Sequence, residues 1–275
     1  MMGKGQKGAL APADDELSLK KVSTSDTQGL DEEAAKELLK KDVERLAELH
    51  DLLYASRSHA LLVVLQGMDT SGKDGTVRHV LQGLSPQGTS VHSFKQPTAE
   101  ELQHDFLWRV HKAVPELGTI GIFNRSHYED VLVTRVHGLI GSGRAHERMR
   151  AIRQFERHLA AEGVVVRKFF LHISEEEQAQ RIEERLKDPR KRWKYSSSDL
   201  KERQRWNDYQ TAYEDAIRRT STGHSPWYVV PSDHKWYRNL AVARVLVETL
   251  EDLDLKWPEP EVPSLRTVEK ELENS

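Results

Sequence analysis

A glycine-bounded loop followed by a lysine is the first feature of this sequence that could do chemistry. Gly67, Gly72 and Lys73 form the pattern G-x-x-x-x-G-K within "LLVVLQGMDTSGKDG". Glycines let backbone N–H groups close around phosphate oxygens, a lysine reaches the outer phosphates, and the start of a following helix favours negative charge. The pattern therefore predicts a phosphate-binding loop, and Thr70 and Ser71 between the glycines belong to the predicted phosphate-binding set.

The same loop carries two acids where a phosphate is expected to lie. Asp69 stands inside the loop, and Asp74 replaces the Ser or Thr that commonly follows the lysine and binds magnesium. Because acids repel phosphates unless a cation intervenes, the simplest interpretation is that one or both hold Mg²⁺ against a phosphate chain. The alternative is a plain strand-to-helix turn with an Asp cap. A predicted buried strand before the loop and a predicted helix after it favour the phosphate-binding interpretation.

A second polar group follows the apolar run 119–123 and begins with Asn124 and Arg125. Ligands of open α/β sheets gather at the carboxyl ends of strands, so these side chains are candidates for the same site. A guanidinium such as that of Arg125 can grip two phosphate oxygens at once. Asn124 can bind Mg²⁺ but adds no charge, which shifts the metal's charge requirement onto the loop acids and Glu129. The alternative is a polar turn that caps the next helix.

A dense basic segment, "RLKDPRKRWKYSSSD", lies in the second half of the chain. Its cations are Arg185, Lys187, Arg190, Lys191, Arg192 and Lys194. Such a run is usually a solvated surface. Beside a phosphate loop it also fits a lid that closes cations over an anionic chain, and both interpretations remain open on the residues alone.

The elements that must position these residues alternate between short apolar runs and helical patterns. Strands are predicted at 61–65, 89–94, 119–123, 164–173 and 227–230. Helices are predicted from 31 to about 53 and at 73–84, 98–112, 144–161, 175–186, 200–219 and 239–253. Strands that alternate with helices indicate βαβ units, and hence an α/β fold with a parallel sheet of about five strands.

Composition limits the classes of protein to which the chain could belong. Its 275 residues suit one main domain, expected at 29–257, with a flexible or surface-lying extension at 1–28 and an acidic, proline-spaced tail at 258–275. The absence of cysteine excludes disulfides, thiolate zinc sites and cysteine nucleophiles. No apolar run approaches the roughly 20 residues that span a bilayer, and no export signal is visible. We expect a cytoplasmic protein without a membrane partner.

Five ordered blocks carry a resemblance to a known family. They are "GMDTSGKDGT", "FKQPTAEELQHDFLWRVH", "GIFNRSHYEDVLVTRV", "RLKDPRKRWKYSSSDLKER" and "PWYVVPSDHKWYRNL". Together they resemble the family-2 polyphosphate kinases over about residues 38–250. The resemblance implies a P-loop three-layer α/β/α sandwich with a helical lid at about 185–205, and phosphoryl transfer between inorganic polyphosphate and nucleotides. It also implies Mg²⁺, with Mn²⁺ as a substitute, and a homodimer or homotetramer.

The resemblance also implies a role for each residue of the candidate site. The implied catalytic residues are Asp69, Lys73, Asn124, Arg125 and Arg185, with Asp69 and Asn124 at the metal. The implied phosphate and polyphosphate ligands are Gly67, Thr70, Ser71, Gly72, Lys73, Asp74, Arg125, Arg135, Lys191 and Lys194. The implied nucleotide-side residues are Lys95, Arg109, Glu129 and Asp130. Much of the family has Asp where this chain has Asn124, and "FNRSHYEDVL" resembles the subgroup that accepts both AMP and ADP.

Three functions are compatible with these features. The leading hypothesis is reversible transfer of the terminal phosphoryl group of polyphosphate to AMP or ADP, with guanine nucleotides as a further acceptor class. The second is an ATP-dependent nucleoside or nucleotide kinase of the thymidylate-kinase-like type. The third is a non-catalytic P-loop module that binds nucleic acid or a partner. A net charge of -3 and the confinement of basic residues to one segment argue against nucleic acid.

Overall fold

The central sheet has five parallel strands. A computed structural model of the chain describes residues 8–195, 197–259, 269, 272 and 273, without the side chains of 197–199. The strands are β1 (Ala60–Gln66), β2 (Thr89–Ser93), β3 (Ile120–Asn124), β4 (Val164–His172) and β5 (Trp227–Pro231). Their order across the sheet is β2-β3-β1-β4-β5, and every pairing is parallel. The predicted number and direction of the strands are therefore confirmed.

Helices cover both faces of the sheet. Within the described residues they are α1 (Glu32–Ser56), α2 (Lys73–Val80), α3 (Trp108–His111), α4 (Val133–Val136), α5 (Ser142–Ala161), α6 (Glu175–Lys187), α7 (Ser197–Arg203), α8 (Trp206–Thr220) and α9 (Lys235–Glu251). The two longest, α1 and α5, are amphipathic and bury one face each, as their 3.6-residue spacing predicts, whereas α9 is buried at nearly every position. None of these helices combines the length and the apolar character needed to cross a bilayer.

Alternating residues of β1 divide the core into two layers. Leu62 and Val64 pack with residues of α5 and α8, whereas Leu61, Val63 and Leu65 pack with residues of α1 and α9. Successive side chains of a strand point to opposite faces, so a central strand covered on both sides must be apolar throughout. All of β1 is buried accordingly. The three-layer α/β/α sandwich is confirmed.

The helix predicted at 98–112 is wrong. The expected capping box forms, since the Thr98 N–H donates to the Glu101 carboxylate at 2.8 Å and the Glu101 N–H donates to the Thr98 hydroxyl at 3.2 Å. Only a 3₁₀ turn, Glu101–Gln103, follows before α3 begins. The carboxylate of Asp105 accepts the Leu107 N–H at 3.0 Å, a local bond that replaces continued helix.

The helix predicted at 200–219 is also interrupted. The structure has α7 and α8 instead, separated at Gln204 and Arg205. The Arg205 guanidinium donates to the Val136 carbonyl at 2.9 Å, at the end of α4. This bond joins the break between α7 and α8 to the end of α4, which follows the loop after β3.

The N-terminal segment lies against the core over its described part. Leu19 is buried, and the Ala13 N–H donates to the Trp227 carbonyl at 2.7 Å. The Thr24 hydroxyl donates to the Asp233 carboxylate at 2.6 Å. Between Ala13 and Thr24 this segment therefore packs against β5 and the residues that follow it. Most of the predicted tail at 258–275 lies outside the described residues, and the domain limits stay a prediction.

Candidate active site

The loop after β1 has a backbone that requires glycine at both ends. Gly67 has φ +152° and Gly72 has φ +106°, values that side-chain-bearing residues rarely adopt. A Cβ at Gly67 would lie 2.8 Å from the Leu171 carbonyl oxygen, and one at Gly72 would collide with the guanidinium of Arg238. The two glycines therefore allow the close turn that brings the start of α2 up to the carboxyl end of β1.

Lys73, the first residue of α2, folds back across this loop. Its Nζ donates to the Gly67 carbonyl at 2.7 Å and to the Met68 carbonyl at 3.2 Å. Burial lowers the pKa of Lys73 to about 8, and the nearby positive charge of Arg125 acts in the same direction. A bound phosphate would oppose both effects, because an anion beside the ammonium stabilises its charge.

The loops after β1 and β3 meet through two charged contacts. The Arg125 guanidinium donates to the Asp69 carboxylate at 2.8 Å, and the Asn124 amide donates to the Asp74 carboxylate at 2.9 Å. Arg125 has φ +64° and Thr70 has φ +65°, left-handed conformations that are uncommon without glycine. Backbone outliers of this kind cluster at functional sites. The structure thus brings both predicted strand-end groups together.

The oxygens of Asp69, Asp74 and Asn124 are suited to a hard divalent cation. No group of three His, Cys, Asp or Glu side chains arranged to hold a metal occurs among the described residues. Mg²⁺ usually takes only one or two carboxylates from the protein and completes its shell with phosphate oxygens and water. The donor set therefore fits Mg²⁺ that arrives together with a phosphate chain.

Substitution at Asp69 is expected to change the Mg²⁺ requirement more than substitution at Asn124. Asp69→Asn removes a formal charge but keeps an oxygen that can accept from Arg125, whereas Asn124→Ala removes a neutral ligand. We expect the half-saturating Mg²⁺ concentration to rise about tenfold for Asp69→Asn. Titration of the reaction rate with Mg²⁺ measures both variants. A larger shift for Asn124→Ala would contradict this allocation of the metal.

The basic segment reaches the phosphate loop through Lys194. Its Nζ lies 2.8 Å from the Asp74 carboxylate, and this hydrogen bond lowers the pKa of Asp74. Lys191 pairs instead with Asp188 at 3.1 Å, and Arg185 contacts the Lys194 carbonyl at 3.5 Å. The segment whose resemblance implies a lid therefore already contacts the start of α2, and of its two implied phosphate ligands Lys194 lies there while Lys191 does not.

A cleft of about 780 Å³ opens beside the two loops. Its lining includes seven of the predicted site residues: Gly67, Asp69, Lys95, Arg109, Arg125, Glu129 and Asp130. Apolar and aromatic side chains complete it, among them Phe94, Leu102, Val133, Tyr209 and Tyr213. The cleft thus combines charged groups with apolar and aromatic side chains, a composition that suits a nucleotide whose phosphates meet the charged groups.

Three of the residues predicted on the nucleotide side, Lys95, Arg109 and Asp130, contact one another. Arg109 donates to the Lys95 carbonyl at 2.8 Å and lies 3.4 Å from the Asp130 carboxylate. Burial raises the pKa of Asp130, and it raises that of Glu129 against the opposing charge of Arg125. Their assignment to the nucleotide stays a prediction that this common cleft supports.

Arg135 occupies a different environment from the other predicted phosphate ligands. Its guanidinium donates to the Asp215 carboxylate on α8 at 2.6 Å, and His146 lies 3.1 Å from the same carboxylate. Val133 and Thr134, which precede Arg135 on α4, line the cleft. The role of Arg135 at the phosphates stays a prediction, and the structure pairs it with α8.

Two buried arginines that the sequence analysis missed hold the phosphate loop from behind. Arg181 donates to the carbonyls of Thr70 at 3.0 Å and Ser71 at 3.1 Å, and Arg238 donates to the Ser71 carbonyl at 3.2 Å. Gln178 donates to the Asp69 carbonyl at 3.1 Å. These bonds use carbonyl oxygens of the loop and none of its N–H groups, of which that of Ser71 donates to the Met68 carbonyl at 3.1 Å. The available signal was the position of Arg181 beside Gln178 and Ile182 on the buried face of α6.

Comparison with known proteins places this site in a family. The family model for polyphosphate kinase 2 matches residues 29–258. An AMP/ADP-polyphosphate phosphotransferase of Meiothermus ruber is 51% identical over 257 residues, which are 93% of this chain and 96% of that protein. An ADP-polyphosphate phosphotransferase of Rhodopseudomonas palustris is 51% identical over 235 residues, 81% of each.

A solved structure gives the same result for the fold. The crystal structure of polyphosphate kinase 2 from Arthrobacter aurescens TC1 superposes with a TM-score of 0.93 at 42% identity and covers 96% of this chain and 95% of that one. The match includes the phosphate loop, the second strand-end loop and the basic segment, since the family model spans all three. The chain belongs to the polyphosphate kinase 2 family.

Proposed function

We propose that this protein transfers the terminal phosphoryl group of inorganic polyphosphate to ADP and to AMP, reversibly and with Mg²⁺. The observation that carries the proposal is the meeting of the two strand-end loops, which brings Lys73, Arg125 and the acids Asp69 and Asp74 together beside the cleft that Asp69 and Arg125 line. The names of the two relatives at 51% identity support polyphosphate as the donor.

The chemistry asks the protein for position and charge rather than for a nucleophile. A phosphate oxygen of the acceptor forms a bond to the terminal phosphorus of the chain, and the bridging P–O bond breaks, so the donor leaves one phosphate shorter. Lys73 and Arg125 bind oxygens of the moving group and stabilise their negative charge. The acceptor phosphate is already ionised near neutral pH, so no strong general base is required. Bound Mg²⁺, held by Asp69 with Asn124 or Asp74, would supply further charge neutralisation.

Asn124 supports the use of both acceptors. It is a neutral amide where much of the family has Asp, and it donates to Asp74 at 2.9 Å. The relatives alone do not decide the acceptor, because the two at 51% identity carry different acceptor names. We further propose Mn²⁺ as a substitute for Mg²⁺, guanine nucleotides as further acceptors, a homodimer or homotetramer, and a cytoplasmic location.

A donor comparison tests the proposal against the two alternatives. The purified protein is tested in three separate assays with Mg²⁺. The first contains polyphosphate as donor and ADP as acceptor, and the second contains ATP as donor and a nucleoside as acceptor. The third measures whether the protein retains a labelled oligonucleotide on a filter. We expect ATP formation from polyphosphate and no retained oligonucleotide. Transfer from ATP to a nucleoside without use of polyphosphate would support the thymidylate-kinase-like alternative, and binding without turnover would support a non-catalytic module.

Neutralisation of the basic segment is expected to affect the longer polyanion most. The triple variant Arg185→Gln, Lys191→Gln, Lys194→Gln should raise the KM for long polyphosphate more than the KM for ADP, because a row of cations attracts an extended chain more strongly. Added salt should produce the same trend in the unmodified protein, since exposed charges are screened over about 8–10 Å at moderate ionic strength. An equal rise of both constants would point to a damaged fold or to transition-state stabilisation instead.

A further inference from the structure

A second cavity, outside the cleft, is lined by arginines. It has a volume of about 520 Å³ and lies between α5, α8 and the N-terminal segment. Four arginines line it: Arg150, Arg153, Arg218 and Arg219. Its carboxylates are those of Asp14 and Asp15, so the guanidinium groups outnumber them. No lining residue of this arginine cavity is shared with the cleft.

We propose that the arginine cavity is a second binding site for the phosphate chain of the donor. This inference rests on the proposed use of polyphosphate and adds a docking point for parts of a long chain that are not reacting. Guanidinium groups suit this ligand because each can donate two parallel hydrogen bonds to adjacent oxyanions. The lining contains no Phe, Tyr or Trp on which a base could stack, so it favours a bare phosphate chain over a nucleotide.

The donors of these arginines are available and partly oriented. Arg218 uses its Nε to donate to the Asp15 carbonyl at 2.5 Å, and Arg219 uses its Nε to donate to the Asp215 carboxylate at 2.5 Å. Within the part of the chain that the structure describes, their Nη groups make no hydrogen bond, and Arg150 and Arg153 make neither a hydrogen bond nor an ion pair. Terminal nitrogens from two helices therefore converge on the cavity with their hydrogen-bonding capacity unused.

The arginine cavity and the cleft are joined through one carboxylate. Asp215 accepts from Arg219 at the cavity and from Arg135 at 2.6 Å, and Arg135 follows Val133 and Thr134, which line the cleft. A chain held at the cavity while its end reacts at the phosphate loop would bind as two linked contacts. Linked contacts raise the effective concentration of the reacting end, so the benefit is confined to donors long enough to reach both sites.

The test compares donors of different length in a pair of matched variants. Arg150→Gln with Arg153→Gln removes the two unpaired cations, and Arg157→Gln removes an exposed arginine of the same helix that does not line the cavity. KM is measured for long-chain polyphosphate and for tripolyphosphate, with ADP saturating. We expect the ratio of the KM for long-chain polyphosphate to the KM for tripolyphosphate to rise about tenfold for the double variant. The same ratio should stay unchanged for Arg157→Gln.

Calorimetry with tripolyphosphate supplies a readout that does not depend on turnover. The unmodified protein is expected to bind at two sites, and the double variant at one. If polyphosphate turnover persists and the double variant shows both an unchanged tripolyphosphate stoichiometry and an unchanged KM ratio, the cavity proposal is overturned. Absence of polyphosphate turnover in the unmodified protein would instead overturn the proposed function, and loss of one tripolyphosphate site in the double variant would still support an anion site at the cavity.

Discussion

Lys73→Ala is expected to lower kcat about 10²–10³-fold while the protein remains folded. The loss of a preorganised donor to a developing negative charge has an effect of this size in other enzymes. Lys73 lies at the first position of α2, with its ammonium against the carbonyls of Gly67 and Met68 rather than in either apolar layer. Its charge therefore serves the anion site more than it serves the core.

The measurement combines turnover with circular dichroism and thermal unfolding. Lys36→Ala is a suitable control, because Lys36 is exposed on α1 and, among the residues that the structure describes, pairs only with Glu32, at 2.7 Å. We expect an unchanged spectrum for both variants and lost turnover for Lys73→Ala alone. Turnover near that of the unmodified protein would remove the phosphate-loop argument, and a lost spectrum would assign the effect to folding.

Glu156→Ala is expected to have the largest effect on stability. Lys168 on β4 and Glu156 on α5 form an ion pair at 2.6 Å, and their side chains are 0% and 1% exposed. Despite burial, the positive charge of Lys168 holds the pKa of Glu156 well below its usual range. Removal of one partner of a buried pair leaves an uncompensated charge and costs about 3–5 kcal/mol. For a chain of this size that corresponds to a fall in Tm of roughly 6–20 °C.

The buried pair also supports the second strand-end loop. The Tyr128 hydroxyl donates to Glu156 at 2.8 Å, and Lys168 donates to the Tyr128 oxygen at 2.9 Å. Tyr128 belongs to the 3₁₀ turn His127–Asp130, which begins two residues after Arg125. Loss of the pair is therefore expected to lower activity as well as stability.

Two further variants separate the buried charge from general damage to α5. Glu162→Ala, at an exposed position after the end of α5, should change the free energy of unfolding by no more than about 0.5 kcal/mol. Glu156→Ala with Lys168→Met should be more stable than Glu156→Ala alone, because it removes the uncompensated ammonium. Denaturant unfolding gives all three values. A Glu156→Ala protein within 1 kcal/mol of the unmodified one would contradict this account.

Much of the fold could be predicted because four of its five strands, all but the edge strand β2, are buried at most of their positions. The run at 61–65 is apolar at every position, and such a run in a chain of alternating strands and helices has few folds open to it. The stretch 98–112 was mispredicted although its capping box forms, since a local bond from Asp105 ends the turn. Capping identifies where a helix can start but does not fix how far it continues.

The residues of the candidate site could likewise be predicted only in part. Lys73, Asp69 and Arg125 could be found because they follow strands directly, and the carboxyl ends of neighbouring parallel strands meet. Arg181 and Arg238 could not, because in the sequence they resemble surface cations and their contacts to the loop join residues more than 100 positions apart. The pairing of Asp69 with Arg125 and of Asp74 with Lys194 likewise needs the folded chain.

The central claim is that polyphosphate is the phosphoryl donor for both AMP and ADP. Its most direct test is a chromatographic time course of AMP, long-chain polyphosphate and Mg²⁺ with the purified protein and with no ATP supplied. We expect ADP to form first and ATP to follow as ADP accumulates. AMP left untouched while supplied ADP is converted would contradict the use of both acceptors, and failure of polyphosphate to phosphorylate either nucleotide would contradict the account itself.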